Sequence, residues 1–125
     1  MRKQYHSRLI NGDTYIWDVH RLVELTQNLE VRDVPLASIQ ELDENYWFQR
    51  DEDVPTARAI AEHMKLVEET DLKYPIILCE DGRIMDGMHR VLKAFLLGHQ
   101  HIRAVQFSEN PSFDYINVNL DDLEY

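Results

Sequence analysis

The sequence predicts an α+β fold: one compact domain in which a small mixed sheet has helices packed on it. Three observations lead there. Asn11-Gly12 and Asp81-Gly82 each stand between short apolar runs, the pattern of a two-residue hairpin turn whose central residues take positive φ. Two later segments, 57–67 and 91–95, repeat apolar residues at helical rather than alternating spacing. Finally, 125 residues with no internal repeat and no linker rich in Pro, Gly or Ser suffice for one core with little surplus.

Residues 1–30 read as an extension made of a hairpin and a helix. Ser7-Arg8-Leu9-Ile10 and Thr14-Tyr15-Ile16-Trp17 flank the first turn, and Asp18 caps a helix that carries Val19, Leu22, Val23 and Leu25 on one side and ends near Leu29. Residues 31–110 are expected to form the main unit. Its first strand, 31–36, is limited by Pro35 and leads into a turn at Ala37-Ser38-Ile39. Residues 40–53 have no clean period and set Glu41, Asp43, Glu44, Asp51, Glu52 and Asp53 around Tyr46-Trp47-Phe48, as in a functional or docking loop with room for one helical turn. Pro55 suits the first turn of the next helix, whose stripe of Ala57, Ile60, Ala61, Met64 and Val67 is expected to be core. Joining the strand at Val31 to the strand at Ile76, that helix predicts a right-handed βαβ-like crossover.

Pro75 opens the run Ile76-Ile77-Leu78-Cys79, Asp81-Gly82 turns it, and residues 83–85 return as a brief strand. A second pair, Asp86-Gly87, opens a helix with Val91, Ala94 and Phe95 at helical spacing, and Gly98 fits its stop. Residues 102–107 supply a last strand, with Val105 and Phe107 on one face. The acidic tail, 111–125, holds Asp114, Asp121, Asp122 and Glu124 but no Lys or Arg, and two readings of it stand: packing through Phe113, Tyr115 and Ile116, or partial mobility.

Charge narrows the function classes. Thirteen Lys plus Arg against 23 Asp plus Glu give a net charge of -10, which repels nucleic-acid backbone and anionic membrane unless the cations cluster. Neither partner is therefore expected. No apolar run approaches the roughly 20 residues of a membrane span, and MRKQYHSR lacks a hydrophobic signal core, so the cytoplasm is the expected location. Cys79 is the single cysteine, which excludes an intrachain disulfide and a cysteine-based zinc cluster. Among Ile77 and Leu78 it reads as a small buried hydrophobe, since nothing adjacent would lower its pKa. Oligomeric state has no signal in the sequence.

The chemistry concentrates in residues 74–98, where strand, turn, strand, glycine elbow and helix follow one another. The N–H groups of Met88, His89 and Arg90 should be the donors of a helix N-terminus, suited to phosphate or carboxylate, with Gly87 allowing close approach and Arg90 adding a forked cation. A second reading stays open, with Asp86 only the N-cap and Arg90 its ion partner or that of Asp81. Asp86 and a phosphate compete unless a divalent cation bridges them.

The elbow DGMHR, the upstream YPIIL with its turn, the stretch from Lys93-Ala94 to Gly98, and the earlier VPLASI followed by an acidic loop and a helix resemble the ParB/sulfiredoxin superfamily over residues 31–108. The resemblance implies a ParB/sulfiredoxin-like fold that binds nucleotide phosphates at the elbow with Mg²⁺. Sulfiredoxins carry a catalytic cysteine where Met88 stands, so peroxiredoxin repair is not expected. ParB partition proteins have an arginine-rich box, of which only Gly87 and Arg90 match, and continue into a helix-turn-helix domain, whereas this chain ends at Tyr125. The elbow is most similar to the Asp-Gly-His-His-Arg of free serine kinases, matched at Asp86, Gly87, His89 and Arg90. Those kinases use ADP and place a catalytic glutamate in a loop answered here by Glu41, Asp43 and Glu44.

The resemblance thus implies that Gly87, Met88, His89 and Arg90 bind the phosphates of ATP, ADP or CTP, and that Asp86 holds Mg²⁺. His89 and a carboxylate among Glu41, Asp43 and Glu44 would serve phosphoryl transfer to a small hydroxyl substrate. The alternative is a non-catalytic ParB-like module acting through a protein partner; a nuclease is disfavoured by the negative surface and the lack of a paired metal-binding acid motif. His99-Gln-His101 lacks a third acid for zinc. Trp17, Tyr46, Trp47 and Phe48 read as core, as a lid, or as stacking partners for a base. His20 and His63 read as partly exposed helix positions, and Ser38 and Ser108 have no triad neighbourhood.

Overall fold

Asn11 and Gly12 take φ of 52° and 86°, the type I′ geometry whose twist matches paired strands. They join β1 (Tyr5–Ile10) to β2 (Asp13–Asp18) in unbroken antiparallel register, Ile10 opposite Asp13 through Tyr5 opposite Asp18. The computed structural model describes residues 3–124. Asp18 caps α1 (Val19–Leu25), its carboxylate accepting from His20 N at 2.9 Å. The helix stops about one turn before the expected Leu29, because the Thr26 hydroxyl donates back to Val23 O at 2.9 Å and residues 26–29 continue only as turns.

β3 (Arg32–Pro35) leads into two 3-10 turns, Leu36–Ser38 and Gln40–Asp43. Next comes α2 (Ala57–Glu69), whose N-cap is Thr56, accepting from Ala59 N at 3.1 Å. Pro55 therefore precedes the cap and does not occupy the first turn. β4 (Ile76–Leu78) and β5 (Ile84–Asp86) form the second hairpin. Its loop has three residues rather than the two expected: Gly82 N donates to Cys79 O at 2.9 Å, Cys79 N donates to Arg83 O at 2.8 Å, and of the loop residues only Gly82 has positive φ, 80°. That is a turn followed by a left-handed glycine, so Asp81 keeps ordinary backbone. α3 (Met88–Leu96) ends in a Schellman motif, with His99 N donating to Ala94 O and Gly98 N to Phe95 O, both at 3.0 Å. β6 (His101–Gln106) and β7 (Tyr115–Ile116) complete the chain.

The result is an α+β single domain with three α-helices and two small sheets among the described residues, ordered β1-β2-β7 and β3-β6-β4-β5. The four-stranded sheet is mixed: β6 runs antiparallel to β3 and parallel to β4. β3 and β4 consequently run in opposite directions, and α2 does not complete the expected βαβ crossover. The parallel connection runs instead from β4 through β5 and α3 to β6, which enters the sheet between β3 and β4. A helical stretch between two strands says nothing about a third strand inserted later.

Two apolar layers cover this sheet. Ile76, Leu78, Ile84, Ile102 and Ala104 face Val91 and Ala94 of α3; Ile77, Cys79, Met85, Val105 and Phe107 face Trp17 and Leu22. The N-terminal hairpin and α1 are thus the second wall of the core. The tail joins the same wall, since β7 pairs with β2 and Phe113 meets the Tyr15 ring edge-on at 4.9 Å. The expectation for α2 needs correction. Val67 is buried, but Ile60 is 46% and Met64 63% exposed, and with Phe95 and Leu96 of α3 they line an open groove. A hydrophobic period identifies a face without saying what covers it. No helix among the described residues is long and apolar enough to cross a membrane.

Candidate functional site

Gly87 turns the chain from β5 into α3 with φ 112° and ψ 22°. A Cβ there would lie 2.6 Å from Ile76 Cγ2 and 2.9 Å from Arg90 Nη2, so the elbow requires glycine for both its backbone and its space. Among the described residues no side chain caps α3. Asp86 does not serve as the N-cap; its carboxylate pairs with Arg90 Nη2 at 3.0 Å, both side chains mostly buried. The same nitrogen points to Pro75 O at 3.4 Å, while Arg90 Nε is buried without an acceptor. The Arg90 guanidinium therefore lies beneath the elbow and braces it.

Above the elbow opens a cleft of about 590 Å³, walled by residues 4–10, Glu41, Glu44, Tyr46, Trp47, Arg83, β5, Gly87, Met88 and His89. The acidic loop and the elbow thus share one volume, although Glu44 and Asp86 lie 42 positions apart in the sequence. Of the three acidic candidates, Glu41 is 3% exposed, Asp43 is exposed, and Glu44 is bound to Arg83. Glu41 Oε2 accepts from Ile84 N at 2.7 Å and lies 3.5 Å from Arg83 Nε, whereas Oε1 is buried with no partner. Arg83 holds Glu44 well below the usual carboxylate range. Tyr46, beside these acids, is pushed up to about 12 by burial and then by the Glu41 and Asp86 charges, which keeps its hydroxyl protonated.

His89 is drawn into a stack that crosses the helices. Its Nε2 lies 2.9 Å from Nδ1 of His63 on α2, and Trp47 stacks on both rings, at 3.9 Å from His63 and 4.7 Å from His89. Burial lowers the His63 pKa, outweighing the opposite pull of Glu62. His63 is thus partly exposed, as expected, and is in addition stacked and hydrogen-bonded. A signal for it exists in the sequence: Ala59, His63 and Leu66 share the α2 face next to the apolar stripe, and that face is the one turned inward.

Arg8 was not among the sequence candidates. It donates from Nε to His6 Nε2 at 2.9 Å, lies over the Trp17 ring, and reaches Ile84 O at 3.5 Å. Among the described residues it forms no ion pair, whereas Arg83, Arg50 and Arg90 in or beneath the cleft each have a carboxylate. Burial and the Arg8 charge push His6 down to about 3, so the imidazole stays neutral and the guanidinium charge is not shared. The hairpin register, which puts His6 and Arg8 opposite Trp17 and Tyr15, is the only sequence-level pointer to this cation.

The donors do not fit a protein-built Mg²⁺ site. Asp86 is committed to Arg90, and no group of three or more His, Cys, Asp or Glu side chains gathers among the described residues. That includes His99 and His101. Compared with protein-family models, curated proteins and solved structures, the chain has no match.

Proposed function

We propose that this cleft binds the phosphates of a nucleotide, ATP, ADP or CTP, and directs a phosphoryl group to the hydroxyl of a small acceptor. The observation that carries the reading is Glu41: a buried carboxylate with one oxygen fixed by Ile84 N and the other without a partner, in the wall of a cleft that also holds an arginine without an ion pair. A buried charge left half-satisfied is costly, and such a group earns a functional reading when a cation and a helix N-terminus face the same volume.

In this reading the amides after Gly87 and the Arg8 guanidinium take the phosphate oxygens, and carry the charge that gathers on them during transfer. The Glu41 carboxylate accepts the acceptor's hydroxyl proton. Arg90 and Asp86 position the elbow, and His89, held by His63 and Trp47, lines the phosphate end. The protein's own cations and amides supply the binding, and Mg²⁺ enters only as a counter-ion carried by the nucleotide. The likeness of the elbow to that of free serine kinases supports the same chemistry.

Calorimetric titration with ADP, ATP and CTP tests the reading. Saturable binding of at least one, displaced by pyrophosphate, is expected; Glu41→Gln should retain binding and lose transfer to hydroxyl acceptors. Absence of binding for all three nucleotides overturns it.

A further inference from the structure

The outer strand of the three-stranded sheet runs along the same cleft. Among the described residues β1 has a neighbour on one side only, β2. Its backbone directions follow from the ladder. Thr14 N, Ile16 O and Asp18 N bond to residues 114–117 on the β7 side, so Asp13, Tyr15 and Trp17 turn toward β1 and meet Ile10, Arg8 and His6. Ser7 and Leu9 then direct their N–H and C=O groups away from the sheet, and neither finds a protein partner on that side among the described residues. Every residue from Gln4 to Ile10 lines the cleft, so the cleft follows this edge. The edge of β5 across it is already covered: Ile84 N donates to Glu41 and Ile84 O accepts from Arg8.

We propose that β1 takes up an extended peptide of a partner protein as an added strand, with basic flanks and a β-branched or aromatic residue at its centre. An open row of donors and acceptors is a template for a further strand. Nearby charge selects the flanks: Asp51, Asp121 and Asp122 are exposed next to the cleft residues Asp53 and Leu120, while Glu52 pairs with Arg50, on a chain of net charge -10. Leu9, 74% exposed, offers the apolar cross-strand contact for that central residue. The contact uses the backbone of Ser7 and Leu9, and so goes beyond the phosphate reading, which uses the Arg8 side chain and the elbow.

The test is a selection of random decapeptides displayed on phage, followed by titration of the tightest synthetic peptide without nucleotide. Selected sequences should be basic at the flanks, and binding should slow hydrogen exchange at Ser7 and Leu9. Ser7→Pro removes an outward N–H while sparing the β2 ladder, and should weaken binding about tenfold or more, whereas Ser7→Ala should bind like the wild type. If Ser7→Pro does not fold, the exchange pattern of the wild type decides. The proposal is overturned if no peptide is enriched, if Ser7→Pro binds undiminished, if protection falls on the α2/α3 groove, or if a dimer of this chain protects the same amides.

Discussion

One oxygen of Glu41 accepts from a backbone amide and the other is buried without a partner among the described residues, in a residue that lines the cleft, so the side chain has a structural part and, in the proposed reading, a chemical one. Replacing it with alanine leaves Ile84 N buried without an acceptor, and should destabilise the fold by about 1–3 kcal/mol, read from the urea midpoint. Gly87→Ala meets positive φ together with Ile76 Cγ2 at 2.6 Å, and should cost about 2 kcal/mol or more in the same measurement. His6 and His63 both have pKa values lowered on folding, mainly by burial. The unfolded chain therefore binds protons that the folded one refuses: stability is fully present above the ordinary histidine range near 6.5 and falls as pH drops from there toward the folded value, about 3 for His6. A urea series from pH 7 to 4 should show this loss, with a shallower slope in His6→Gln. The sequence made Glu41, Asp43 and Glu44 equal candidates; burial and hydrogen bonding separate them, and neither is written in a run of acids. It likewise gave the anion clamp to Arg90, which stands nearest the elbow in sequence, whereas Arg90 is bound by Asp86 and the arginine without an ion pair, Arg8, arrives from a strand 82 residues earlier.

At the level of elements, part of the local chemistry was legible, although the Asp81-Gly82 loop is one residue longer than expected and Pro55 precedes the α2 cap. Asn11-Gly12, the Asp18 cap and the Gly98 stop each need only a few neighbouring residues, and each forms as expected. What depends on a distant element was not legible. The direction of β3 relative to β4 is set by β6 entering between them, and the fate of the α2 stripe is set by how little of it α3 covers. Ile60→Ser or Met64→Ser, on that exposed stripe, should change stability by no more than about 0.5 kcal/mol. Ile76→Ala, at 0% exposed in β4, should cost about 2–5 kcal/mol. A large loss at Ile60 or Met64 in the monomer would mean that the groove is closed in solution.

Taken whole, the molecule ties its ends to its middle. Trp17 packs against Ile77, Met85 and Val105 and donates from Nε1 to Pro111 O at 3.0 Å, and Arg21 binds Asp114 at 2.9 Å. The hairpin extension and the tail thus pack on the main unit within a single α+β domain. Urea unfolding followed by tryptophan fluorescence and by far-UV circular dichroism should give coincident, single transitions; separated midpoints would show that the hairpin and tail unfold on their own. The same interlock brings Arg8 to Ile84 O and into the cleft that the elbow lines. The most direct measurement is the dissociation constant for ADP in the wild type and in Arg8→Ala at equal folded stability. Loss of about tenfold or more in affinity is predicted, as for removal of a charged hydrogen bond to phosphate. Equal affinity in the two proteins, or none in either, would contradict a phosphate site at the Gly87 elbow.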